Sequence, residues 1–427
     1  MKKTGNRQWA MGKRRESKVW SSVTRHFLLV SVLLVACYFS LVTVSYAKVY
    51  IDITSPAIRK LPISITAKGP SEAKEIEGII MNDLEFTGLF LFVAPEAPGA
   101  EMTVQLGTDT SNDIKVLLSV FDLIENRETF KKQYSGTKDI LRAIAHSISN
   151  DIYEIVTGKD GAFRTKISYL MQTSQGNKEL RLMDWDGHTP IRVIPIGLTS
   201  SHAWSDNGRF LIYSSERNRD WKIYRFDLED FRETLLFSAK GLNLAGNTSP
   251  GGEMTFSSSR DGNSEIYVMN INGTNLRKLT TSFGIDVSPV FSPDGSSIAF
   301  VSDRGGSPQI YIMDSSGRGA GRLTFEGSYN TSPAWSPDGK WLAYVGQRGG
   351  KNQIFMIKSD GTGLRQLTIS GNNESPSFSP DGMFLAFDSD RDGGRGIYIM
   401  RVNGEDQRRI SPKTVKAMSP KWSPFLK

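Results

Sequence analysis

The chain has 427 residues, 38% of them hydrophobic and 23% charged, which is ordinary globular material and enough for two domains. Its formal net charge of +7 resides in residues 1–47, which carry eight basic residues and one acid; the rest of the chain holds 44 of each sign. The folded part therefore lacks the excess charge that displaces counterions from a polyanion, and this excludes a nucleic-acid binder.

In chain order, an 18-residue apolar run at 27–44 follows the basic stretch and ends in Ser45-Tyr46-Ala47, with small residues third and first before Lys48. This is the pattern of a secretory signal cleaved after Ala47. The run is also long enough for an uncleaved anchor, and Leu34-Val35-Ala36-Cys37 resembles a lipoprotein cleavage box, although the apolar stretch continues past it. Cys37 is the only cysteine, so a mature chain beginning at Lys48 carries no disulfide and no thiolate nucleophile or ligand.

Residues 48–160 read as an α+β domain. Val49, Ile51 and Ile53 alternate with polar neighbours, and 61–67, 102–106, 114–123 and 128–134 also have strand patterning. The spacing of Ile76, Ile79, Ile80 and Leu84 predicts a helix over 71–86 capped by Ser71. Ile140, Ile144, Ile148, Ile152 and Ile155 predict another over 139–156.

From 161 to 427 the chain repeats itself. Ser292-Pro293-Asp294-Gly295, Ser336-Pro337-Asp338-Gly339 and Ser379-Pro380-Asp381-Gly382 are near-identical. Ser205-Asp206-Asn207-Gly208, Ser249-Pro250-Gly251-Gly252 and Ser423-Pro424 are weaker copies, and the six serines are spaced by 43 or 44 residues. Pro sets φ for the first central position of such a turn, Asp bonds its own backbone, and Gly takes the left-handed conformation. Four short strands per repeat, for example 289–292, 297–302, 309–314 and 322–324, match a propeller blade. The last copy supplies one strand only, while 165–172, 179–184 and 191–194 look like later strands without a first. The expected fold is therefore a six-bladed all-β propeller closed by a composite blade, which leaves no open edge.

Catalytic motifs are missing: no nucleophile elbow, phosphate loop or His-Glu-x-x-His pair occurs. Beyond 1–47, His146 lies on the second helix as a surface or packing residue, His188 follows a turn, and His202 precedes a first strand near one mouth. Asp388, Asp390 and Asp392 superficially resemble a calcium loop, but position twelve is Ile399 instead of Glu, so the stretch reads as a blade turn. Arg217, Arg260, Arg304, Arg348 and Arg391 recur before Ile-aromatic pairs and read as partners of nearby acids. No metal, cofactor or catalytic residue is expected.

The whole chain beyond the leader resembles the TolB family, periplasmic components of the Tol-Pal system. The resemblance is carried by the architecture and by Gly161-Ala162-Phe163-Arg164-Thr165, Ala203-Trp204-Ser205 and Ser419-Pro420-Lys421-Trp422-Ser423-Pro424-Phe425-Leu426. The stretch 95–114 is shorter than is usual in that family. The resemblance implies a non-catalytic periplasmic adaptor, not an integral membrane protein once the signal is cleaved, that supports outer-membrane integrity and envelope constriction during cell division. Its implied partners are the peptidoglycan-associated lipoprotein Pal, the inner-membrane protein TolA, and other envelope lipoproteins. The TolA-binding segment would be Lys48, Val49, Tyr50, Ile51, Asp52 and Ile53, continuing to about Arg59; its rival reading is an ordinary edge strand. Pal would meet the loops entering each first strand, at His202, Asn243, Asp286, Asn330, Thr331, Asn373, Glu374 and Met418. The alternative function is an exported propeller hydrolase or lyase acting through a mouth residue such as His202.

Overall fold

Period-two patterning builds the first layer. Ile63 and Ile65 of β1 (Leu61–Lys68), Val104 and Leu106 of β3 (Met102–Asp109), and Val116, Leu118 and Val120 of β4 (Ile114–Asp122) all turn into one core. With β2 (Phe90–Phe92) and β5 (Arg127–Gly136) they form a sheet of order β2-β1-β3-β4-β5, parallel at β2-β1-β3 and antiparallel thereafter. The computed structural model describes residues 59–95, 98–194 and 198–426; the leader and the strand expected at 49–53 lie outside them.

Helices α1 (Ser71–Thr87) and α2 (Leu141–Thr157) cover the sheet through Ile76, Ile80 and Leu84 and through Ile144, Ile148 and Ile152. Each buried aliphatic side chain of this kind contributes about 1.5–3 kcal/mol. Both helices stop at a left-handed glycine, Gly88 at φ 74° and Gly158 at φ 71°. Two local expectations are corrected. Pro70, not Ser71, is the N-cap of α1, and the Ser71 hydroxyl turns to Glu72. Ile140 lies in a 3-10 turn ahead of α2 and is exposed, because α2 begins only at Leu141.

The repeats form antiparallel sheets. Four have four strands each, spanning 243–278, 286–322, 330–366 and 373–409. In one, Asp286–Phe291, Ser297–Ser302, Gln309–Asp314 and Gly321–Arg322 pair in sequence order. The remaining sheet has eight strands: β6 (Lys166–Gln172), β7 (Lys178–Asp184), β8 (Ile191–Ile194), β9 (Leu198–Trp204), β10 (Phe210–Arg217), β11 (Asp220–Asp227), β12 (Glu233–Ser238) and the last strand, Lys416–Trp422. As strands, its two halves pair in parallel at Lys178 and Leu198. The last strand pairs antiparallel with β6, Trp422 opposite Ile167, so the two ends of the repeat region share one sheet.

Each turn closes as its chemistry dictates. Ser292 Oγ donates to Asp294 Oδ1 (2.5 Å) and accepts from Ser297 N (3.0 Å), while Gly295 takes φ 72° and donates its N–H to Ser292 O. Between sheets, Ala299, Val301 and Ile310 of one pack against Leu342, Tyr344 and Phe355 of the next. The first strands neighbour one another in cyclic order, β9, then those beginning at 243, 286, 330 and 373, then the last strand, and back to β9. This is an all-β propeller.

The α/β layer docks on the propeller side bearing the Ser379–Gly382 turn. Phe86, Trp185 and Phe384 stack at centroid distances of 5.0–5.9 Å. Asp381 Oδ2 accepts the Ala162 N–H (3.0 Å), and Arg401 Nε donates to Phe86 O (2.9 Å).

Candidate functional site

Each first strand runs from one mouth of the propeller to a Ser-Pro-Asp-Gly-type turn at the other. Toward the turn end of the lumen, Trp204, Phe291, Trp335, Phe378 and Trp422, each one residue before a turn serine, line a cavity of about 230 Å³ together with polar neighbours that include Asp206, Asn247, Thr248 and Lys421. The opposite mouth is built by the segments leading into the first strands, and there the repeat has two layers.

The lower layer is a set of buried pins. Gln309 Oε1 accepts from Thr324 Oγ1 and Asn330 Nδ2, both at 2.7 Å, and Asn330 Nδ2 also reaches Glu326 O at 2.8 Å. One repeat on, Gln353 Oε1 accepts from Thr368 Oγ1 (2.9 Å) and Asn373 Nδ2 (3.0 Å). Asn243 Nδ2 donates to the Trp221 and Ala239 carbonyls, and its Oδ1 accepts from Ser258 Oγ. Asp286 holds Arg304 at 2.7 Å, and that guanidinium stacks over Phe300 and Tyr311. Asn243, Asp286, Asn330 and Asn373 are all 2% exposed or less. The structure thus places these four expected contact residues beneath the surface, where they fix the loops. Buried amides and carboxylates that leave water must find such partners.

The upper layer is apolar. Phe283 is fully exposed, Ile369 is 87% and Phe325 73% exposed, and Ile285, Tyr329 and Leu242 are also open to solvent. Sequence reasoning missed Phe283, Phe325 and Ile369. Their signal was a bulky apolar residue soon after Leu279-Thr280, Leu323-Thr324 and Leu367-Thr368, in loops that are otherwise polar.

The other expected site residues divide. Thr331 and Met418 are half-buried, and Met418 packs against the core around Leu170 and Trp204. Glu374, half-buried, bonds Asn352 Nδ2 (2.9 Å) and Arg395 Nη1 (2.7 Å), and the Arg395 guanidinium holds its carboxyl below the usual range. Arg395 also lies 3.0 Å from Asp388, whose carboxyl is raised to about 7 because burial outweighs that charge. His202 is buried, neither ring nitrogen has a hydrogen-bond partner, and burial together with the Lys421 charge pushes it down to about 3. A neutral imidazole without a carboxylate to orient it or a hydroxyl to activate is not set up as a catalytic base. Lys48, Val49, Tyr50, Ile51, Asp52 and Ile53 lie outside the described residues.

Asp388, Asp390 and Asp392 do not converge on an ion. The first faces Arg395, the second accepts from Asn372 N (2.7 Å) and the third from Tyr398 Oη (2.6 Å). Among the recurring arginines, Arg217 pairs with Glu233, Arg304 with Asp286, and Arg391 with the Asn373 side chain. His146 is buried against Asp83.

Pinned loops carrying exposed apolar side chains at one mouth of a ring of sheets define this protein as a propeller with an apolar rim. The chain belongs to the TolB beta propeller domain family (PD40), which matches residues 153–426. It is 34% identical over 254 residues to a Protein TolB homolog of Chlorobium chlorochromatii, covering 54% of this chain and 57% of that one. It is likewise 34% identical over 268 residues to the Tol-Pal system protein TolB of Desulfosudis oleivorans, covering 55% and 61%. The matches thus span 57–61% of the length of these relatives. The crystal structure of TolB from Acinetobacter baumannii superimposes with a TM-score of 0.78 at 27% identity, covering 86% of this chain and 97% of that chain. Among the described residues no helix is long and apolar enough to cross a membrane.

Proposed function

We propose that this protein is an exported, non-catalytic adaptor of the Tol-Pal system, acting in the periplasm. In this reading residues 1–47 are a cleaved signal, 48–160 an α+β domain, and 161–427 a propeller of six blades. The eight-stranded sheet counts as two blades, one of them the composite of β6, β7, β8 and the last strand; the cyclic order of the first strands supports this count.

The observation that carries the function is the apolar rim of Phe283, Phe325 and Ile369 on loops pinned from below. Rigid loops lose little entropy on binding, and aromatic anchors supply most of the energy of a protein interface. We assign this mouth to Pal, with Thr331 and Glu374 at its inner edge. Residues 48–53 are assigned to TolA, leaving the chain to link the outer envelope to an inner-membrane complex. Pull-down from envelope extract with the mature chain tests this: recovery of Pal is expected, and consistent failure to recover any peptidoglycan-associated lipoprotein contradicts it. The hydrolase or lyase alternative turns on His202, whose lack of any hydrogen-bonded partner leaves that reading without support.

A further inference from the structure

Three elements converge where the α/β layer meets the propeller, and each brings an ionisable group. Asp83 comes from α1, His146 and Arg142 from α2, and Asp186 from the loop after β7. His146 Nδ1 lies 2.7 Å from Asp83 Oδ2, and its Nε2 lies 3.7 Å from Asp186 Oδ2. The Arg142 guanidinium also bonds Asp186 Oδ2, and the exposed His188 sits 3.3 Å from Asp186 Oδ1. Asp83 is wholly buried and His146 is 4% exposed. Ser149 Oγ donates to Asp83 Oδ2 at 2.7 Å, while Asp83 Oδ1 and His146 Nε2 have no hydrogen-bond partner. A cavity of about 410 Å³ opens beside the cluster, lined by Lys74, Glu75, Arg142, Asp186, His188, Arg408 and Arg409 among others.

The charges decide what occupies the cluster. Two carboxylates and one guanidinium leave a buried deficit of one positive charge, and a protonated imidazole between the carboxylates supplies it. A divalent cation fits less well, because Arg142 already takes the Asp186 oxygen that faces His146.

We propose that His146 is a protonated clasp joining α1 and α2 to the propeller, and that losing its proton loosens this docking. Burial works against charge on His146, but the charge and hydrogen bond of Asp83, with the charge of Asp186, outweigh it and raise its pKa. Burial raises Asp83 as well; the two groups compete for one proton, and it goes to the imidazole because Ser149 already donates to the carboxylate. A histidine raised on folding stabilises fully below its unfolded value of about 6.5, and the contribution fades as pH rises through the folded value.

The test compares the mature chain with His146→Gln, whose neutral amide still donates to Asp83. The wild type is expected to melt roughly 3 °C or more above the variant at pH 6, with the gap closing by about pH 9. Hydrogen exchange in 141–150 and 184–188, corrected for intrinsic rate, is expected to speed up over the same range in the wild type alone. The imidazole titration of His146, read by NMR in the wild type, is expected to have its midpoint above 6.5, and this readout stands even if the variant fails to fold. A gap independent of pH, or a midpoint at or below 6.5, overturns the proposal. So does zinc that raises the melting temperature of the wild type and not of His146→Gln, since a metal would then fill the cluster.

Discussion

Trp422 donates its indole N–H to Thr165 Oγ1 at 2.7 Å, a hydrogen bond across 257 positions of the chain. The same strand is held on its other flanks: Trp422 N donates to Ser377 Oγ (2.9 Å), and Trp204 Nε1 donates to Lys421 O (3.0 Å). The last strand is therefore bonded into the sheets on both sides as well as to β6.

Trp422→Ala is expected to cost about 3–5 kcal/mol, the usual range for a buried tryptophan. Against a domain stability of about 5–15 kcal/mol that is a large share. Urea unfolding measures it, and a loss below about 1 kcal/mol would show that the ends of the repeat region are not mutually stabilised.

Asn330→Ala and Asn373→Ala are each expected to cost about 1–3 kcal/mol, because Gln309 and Gln353 lose a donor in a buried site. The loss should be local, with hydrogen exchange accelerating in 325–331 for the first variant and 369–374 for the second. Uniform acceleration across the propeller would mean that these amides support the fold and not the loops.

Asp388 provides a pH prediction of opposite origin to the histidine. Its carboxyl is raised to about 7 by burial, against about 3.9 in an unfolded chain, so between these values the folded state holds the extra proton. Stability should therefore fall as pH rises from about 4 to 7 and level off above. Asp388→Asn, which keeps an acceptor for Ser419 N, should flatten that slope by about 1–3 kcal/mol between pH 5 and 8. Parallel slopes for the two proteins would show that Asp388 ionises without cost.

The array and its closure were legible because the turn has a stringent local chemistry: only a few residue types satisfy it, so Ser292, Ser336 and Ser379 stand out at fixed spacing. Trp422 and Ile167 were legible as complementary fragments for the same reason. The rim was not, because burial depends on what lies beneath a loop. Asn330 and Asn373 look like surface residues until Gln309 and Gln353 are placed next to them. Nor was the second Ser-Pro element: Ser288, Ser332, Ser375 and Ser419 take φ of 53–55°, each at a bulge in a first strand and each followed by proline. Such backbone is costly for a non-glycine residue and persists only where neighbouring strands impose it. His146 was legible as a helix residue, but its partners Asp83 and Asp186 are 63 and 40 positions away, beyond any local pattern.

The proposed recognition face is tested most directly by calorimetric titration of the mature chain with the soluble domain of a Pal-type lipoprotein. Wild type is compared with the double variant Phe283→Glu/Ile369→Glu, whose exposed positions should leave stability within about 0.5 kcal/mol. One-to-one binding weakened at least about tenfold in the double variant is the predicted result, consistent with apolar anchors at the centre of an interface. Equal affinity of both proteins, at unchanged melting temperature, would contradict it.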